Sequence, residues 1–533
     1  MTVLSPEKKF ARGYMNSIRQ RMSDFDMEIW HYAEPAWREY KSAKAYRDLL
    51  SAAGFAVEEA SGGMPTAFMA SWGEGAPVLG SFSEYDAVPG HSQQATPYPA
   101  PREGFHAWAP GHTCPHSMLG TTCLAGILAT KATMEKFNIP GKLKLFGEPA
   151  EKMCASKPVH AAKGYFDDCD AFIIYHPQSV NTVLGETQWG SYWSCVFTFE
   201  TPAPETWIDP SLLPNRSPHW IARCPGALDA LCLMYTSTKY TKEAMFPHTG
   251  SWSLNEFVLV GGDATSDNMS PRFSQIQYSW RSPDLAIQKQ IYKVLETNAK
   301  QVAGMTGCTV SVRWVTKTRT GLANTTMTNL AYANMEALGA PTFDDTAKKF
   351  GNDILENLGF ARQDNPFAAD NERLITPEDY DKRLRYAMPQ WQKTYIADDY
   401  VEYTWHAPTT RVFTMRGRLT PPRSDYEFPA WVDDAITGVP ACIDPGMFLG
   451  AETIAWTFID LLIKPETLAA AKQEFAERTG GGVGGTKWVP PQLPRDFKPP
   501  HDLRWPEYIR TIRGEEWWIP HAGPDSGKGE RLA

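Results

Sequence analysis

The chain has 533 residues, 42% hydrophobic and 21% charged, with a net charge of −9. That length exceeds the size at which one hydrophobic core stops growing, so at least two domains are expected. The acidic balance argues against nucleic acid or an anionic membrane as a partner. No unbroken run reaches the roughly 18 apolar residues of a membrane span, and the first residues carry scattered charges rather than a secretory core. Nine cysteines, an odd number spread over a long chain, fit reduced thiols and a cytoplasmic setting.

In chain order, apolar residues recur at helical spacing from about 6 to 54, with Gly54 as a stop. AFMASW and PVLGSF read as strands, MLGTTCLAGILATKATMEKF as a helix, and KLKLFGEP and DAFIIYHP as further strands. Strand–helix–strand alternation implies an α/β domain with a mostly parallel sheet. From about 190 the order changes to β-α-β-β-α-β, the pattern of a ferredoxin-like insert. The expected layout is a catalytic α/β domain over 1–190 and 318–480, an inserted lid or dimerisation domain over 191–317, and a Pro/Trp-rich arm over 481–533. Residues 340–395 form a polar stretch of low periodicity, an extra lobe or a lid.

The chemistry is concentrated in three motifs at strand ends or a helix start. GHTCPHSMLG supplies Cys114 and His116, GEPAEK supplies Glu151, and IIYHP supplies His176. A thiolate and two imidazoles give the three ligands of a catalytic metal that keeps one open position. A carboxylate off the metal can move protons. Asp86, just after a strand, reads as a residue that orients a ligand.

With SEYDAVPG, GALDAL, YSWRSPD and ADDYVEYTWHAPTT in the same order, the chain resembles the metallopeptidase family of aminobenzoyl-glutamate hydrolase, hippurate hydrolase and the auxin-conjugate hydrolases. The resemblance covers about 25–320 and 397–475. It implies Cys114, His116 and His176 as metal ligands and Glu151 as general base. It also places Asn268, Arg281 and His406 near a carboxylated substrate. The family holds two metals, but Lys152 stands here at a ligand glutamate and Asp444 at a late ligand histidine. A protonated ammonium has no lone pair to give. The expectation is therefore one divalent ion (Zn, Mn, Co or Fe), with the second site lost and a Lys152–Asp444 pair compensating its charge. The family histidine of the insert is also missing, with His219 as a substitute candidate.

The implied reaction is C–N hydrolysis of an N-acyl or N-aroyl amino acid by a homodimer or larger homo-oligomer. A deaminase of a carboxylated aromatic amine, such as a nitroanthranilate, is the alternative; a non-catalytic binding protein is the third reading.

Overall fold

The structure, a computed structural model, describes residues 4–201, 211, 226–262, 271–502, 508–511 and 514–517. Two helices lead the chain, α1 (Pro6–Tyr32) and α2 (Tyr40–Ala52). The sequence suggested one continuous helical stretch; the break falls where Ala33 turns left-handed at φ 40° and Pro35 follows. Glu34 makes use of that break, its carboxylate accepting from the Lys41 and Ser42 amides at the start of α2, both at 2.9 Å.

The main sheet contains β1 (Ala56–Glu59), β2 (Phe68–Glu74), β3 (Val78–Ser83), β4 (Gly141–Gly147), β5 (Ala171–Gln178), β6 (Thr182–Val183) and β11 (Thr409–Met415). Its order is β1-β2-β4-β3-β5-β11-β6. The central four strands, β4, β3, β5 and β11, are parallel; the edges are antiparallel. Being covered on both faces, the central strands read as apolar runs. The helices on the sheet are α3 (His116–Phe137), α4 (Ser156–Lys163), α7 (Thr325–Leu338), α11 (Pro440–Ile463) and α12 (Pro465–Thr479). In length and composition α11 would suffice to cross a membrane, a feature that the search for unbroken apolar runs passed over because Asp444, Glu452 and Asp460 interrupt it. It packs on α1, α3 and α7, and 89% of its apolar window is buried, as in a central core helix.

A second, four-stranded antiparallel sheet is built from β7 (Ser191–Glu200), β8 (Ser253–Val260), β9 (Phe273–Ser282) and β10 (Thr309–Lys317), in the order β10-β7-β9-β8. Helices α5 (Ala227–Met245) and α6 (Leu285–Thr306) cover one face through Phe197, Tyr278, Trp280 and Ile291. This is the β-α-β-β-α-β unit expected from the sequence. The polar stretch beyond 340 contains α8 (Asp345–Asn357) and α9 (Pro377–Tyr386), and with α10 (Ala430–Thr437) it makes a side core around Phe343, Phe367 and Ile436. Past α12, residues 487–502 lie across the chain's own surface, followed by the short pair β12 (Tyr508–Thr511) and β13 (Gly514–Trp517).

Candidate metal centre

The parallel strands all point their carboxyl ends to one side, the usual place for a site in such a sheet. There β3 delivers Glu84 and Asp86, β4 runs into the turn bearing Glu151 and Lys152, and β5 presents His176. The loop after β3 brings Cys114 and His116 to the first turn of α3.

Cys114 Sγ lies 3.7 Å from His176 Nε2. Two tetrahedral ligands of one zinc-like ion would stand about 3.6 Å apart, given bond lengths near 2.3 Å to sulfur and 2.0–2.1 Å to nitrogen. His116 completes the set, with all three donor atoms within 4.8 Å of one another. His176 Nδ1 donates to the Pro177 carbonyl at 2.7 Å, which leaves Nε2 with its lone pair. His116 Nδ1 is bound to Asp86 at 2.7 Å, which turns Nε2 into the site. Asp86 therefore orients a ligand, as its position after a strand suggested. Burial opposes the Cys114 thiolate, yet Lys152, His176 and His116 outweigh it and hold the thiol well below its usual range. The three donors fit one divalent ion.

His116 Nε2 is also where Lys152 arrives: its ammonium donates there at 2.5 Å and sits 3.3 Å from Glu151 Oε2. Burial would strip the proton from Lys152, but Cys114, Glu151, Asp86 and Glu84 raise its pKa instead, so it stays a cation. The expected Lys152–Asp444 pair is not formed. Asp444 sits in the first turns of α11 on the side facing α1, where it accepts from Ser23 Oγ at 3.1 Å, and burial pushes it up to about 6. Lys152 is compensated from the other side, by the carboxylates after β3 and β4.

Two further expectations need correction or limits. His406 is not at this end of the sheet. It precedes β11 and pairs through Nδ1 with Asp167, ahead of β5, at 2.9 Å. The stretch of β5 from Ala171 to His176 spans about 17 Å, so His406 belongs to the opposite edge. Asn268 and His219 lie outside the described residues. Arg281, in β9, stacks over Tyr192 with its guanidinium carbon 4.8 Å from the ring centroid, and no ion-pair partner is found for it among the described residues.

Sequence reasoning missed a second ring of charge. Lys157, fully buried, bridges Glu84 at 2.6 Å and Asp399 at 2.7 Å. Arg411 holds Asp398 at 2.8 Å, and Asp398 and Asp399 come within 4.8 Å of Glu151. The available signals were the acidic residue directly after β3 and the paired acids of ADDY.

A parallel-centred α/β sheet with an inserted α+β unit and a Cys/His/His donor set beside a free carboxylate defines a metal-dependent amidohydrolase. No family model matches the chain. It is 26% identical over 485 residues to a p-aminobenzoyl-glutamate hydrolase chain of Escherichia coli (strain K12), covering 88% of this chain and 95% of that one. Xaa-Arg dipeptidase of Mus musculus is 24% identical over 321 residues, 57% of this chain and 65% of that one. In fold, the crystal structure of an aminobenzoyl-glutamate utilization protein from Klebsiella pneumoniae matches with a TM-score of 0.52 at 14% identity, covering 85% and 99% of the two chains. The chain is thus a divergent relative of p-aminobenzoyl-glutamate hydrolase.

Proposed function

We propose that this protein hydrolyses the amide bond of an N-acyl or N-aroyl amino acid at a centre holding one divalent ion. The observation that carries the one-ion reading is the Lys152 ammonium on His116 Nε2. Cys114, His116 and His176 would hold the ion, which supplies Lewis acidity when bound and lowers the pKa of water from 15.7 toward about 7. Glu151, with its side chain 13% exposed, takes the proton of the attacking water and passes it to the departing nitrogen. Lys152 offers its ammonium to the oxygen that becomes negative, which is a task for a preset cation. Arg281, stacked and without a carboxylate partner among the described residues, suits a substrate carboxylate.

We also read the protein as a homodimer. The outer strand β8 carries exposed Phe257 and Val258, and Tyr240 on α5 is 75% exposed.

Product analysis tests the reaction. Incubation with N-aroyl amino acids should release the free amino acid, and Glu151→Gln should lower turnover by about 10²–10⁴-fold while metal content holds. Ammonia from carboxylated anilines, with no amino acid released from the amides, would move the reading to a ring aminohydrolase. Wild-type turnover in the variant would remove Glu151 as the base.

A further inference from the structure

The turn that carries Glu151 and Lys152 is strained at both ends. Ala150 and Cys154 are non-glycine residues at φ 55° and 50°, a conformation that persists only when the surroundings impose it. Four restraints reach this turn from distant parts of the chain. Ala150 N donates to Glu39 Oε1 at 2.7 Å, and Lys152 N to Asp86 Oδ2 at 2.8 Å. Thr316 of β10 donates through Oγ1 to the Cys154 carbonyl at 2.5 Å. The fourth restraint is apolar, a cluster of Trp37, Met64, Ala150, Ala155 and Val159 that Leu493 closes, with Met153 and Phe497 packed against it.

Leu493 and Phe497 belong to the segment after α12, and that segment is fastened on either side of them. Trp488 Nε1 donates to the Trp405 carbonyl at 2.6 Å. Arg319, buried in the return from the insert, donates through Nη1 to the Val489 carbonyl at 2.9 Å. Beyond the cluster, Asp502 pairs with Arg313 of β10. One continuous stretch thus touches the exit of the insert, the floor of the catalytic turn and an insert strand.

We propose that residues 488–502 are a clamp, with Leu493 and Phe497 as positioning residues that hold the Ala150–Cys154 turn in its left-handed form so that Glu151 and Lys152 face the Cys/His donors. The inference rests on the reading of Glu151 as base only for its effect on turnover; the geometry of the turn is measurable without substrate.

Hydrogen exchange of the full chain, loaded with zinc, is the experiment. In Leu493→Ala and Phe497→Ala the amides of Lys152 and Cys154 should exchange at least about tenfold faster, with the β3 and β5 amides unchanged. Turnover should fall through kcat with KM and zinc content held, and Leu493→Met should restore both readouts. Should Leu493→Ala fail to fold, the half-buried Phe497 position carries the test. Unchanged exchange in the turn, or an equal rise throughout the main sheet, would overturn the clamp. Faster exchange with unaltered kcat would uphold the clamp and count against Glu151 instead.

Discussion

The two edges of the parallel strands are built from the same residue types and do opposite things. At the amino edge, His406 pairs with Asp167, and Arg319 is locked to Glu402 with the guanidinium and carboxylate both fully buried. Arg319 spends its donors on Glu402 and the Val489 carbonyl. At the carboxyl edge, His116 and Lys157 are equally buried, but Cys114, His176, Glu151 and Lys152 remain half-open with donor atoms turned to the cleft. A buried histidine beside an acid is therefore no site by itself. What separates the edges is unspent bonding capacity, together with the side of the sheet to which the strands lead.

Removing a buried cation at either edge tests that contrast. Lys157→Met leaves Glu84 and Asp399 without their counter-ion, and Arg319→Met does the same to Glu402. Each should cost about 3–5 kcal/mol in denaturant unfolding. Only Lys157→Met should also change metal affinity, read by chelator competition; an equal change in Arg319→Met would erase the distinction between the edges.

The histidine at the closed edge gives a pH test of similar size. Burial pushes His406 down to about 4, against the pull of Asp167, from an ordinary value of 6.5. Between those values the unfolded chain binds the proton and the folded chain does not, so stability falls as pH drops from 6.5 to 4. The loss is on the order of 3 kcal/mol when complete. His406→Gln should flatten that part of the Tm–pH curve and leave turnover unchanged. His112, which burial pushes down to about 3, contributes with the same sign and persists in the variant. A slope identical to wild type would contradict a buried neutral His406.

The smallest effect belongs to Asp444. Held near 6 by burial and bonded only to Ser23 among the described residues, it is ionised at neutral pH at some cost. Asp444→Asn should stabilise by less than about 1 kcal/mol and leave metal content untouched. Loss of metal would restore Asp444 to the centre.

Much of this was legible in the sequence because the motifs sit on elements with strong periodicity. Cys114 and His116 open α3, His176 ends an apolar parallel strand, and Asp86 follows another; their strand-end positions alone bring them together. Lys152 was legible as a misfit at a ligand position. Its partner was not, because the side of α11 that Asp444 occupies depends on how the helix packs against α1, which motif spacing does not encode. His406 failed for a related reason: TWHAP lies just before β11, and only the strand direction shows that this is the closed edge. Lys157, Asp398 and Asp399 went unread because each is an ordinary surface residue type in sequence, and only folding buries them against one another.

Metal analysis of the purified protein bears most directly on a one-ion centre with an ammonium beside it. One divalent ion per chain is expected, with a single anomalous peak bonded to Cys114 and His176. Two ions per chain, or a peak between His116 and Lys152, would contradict it.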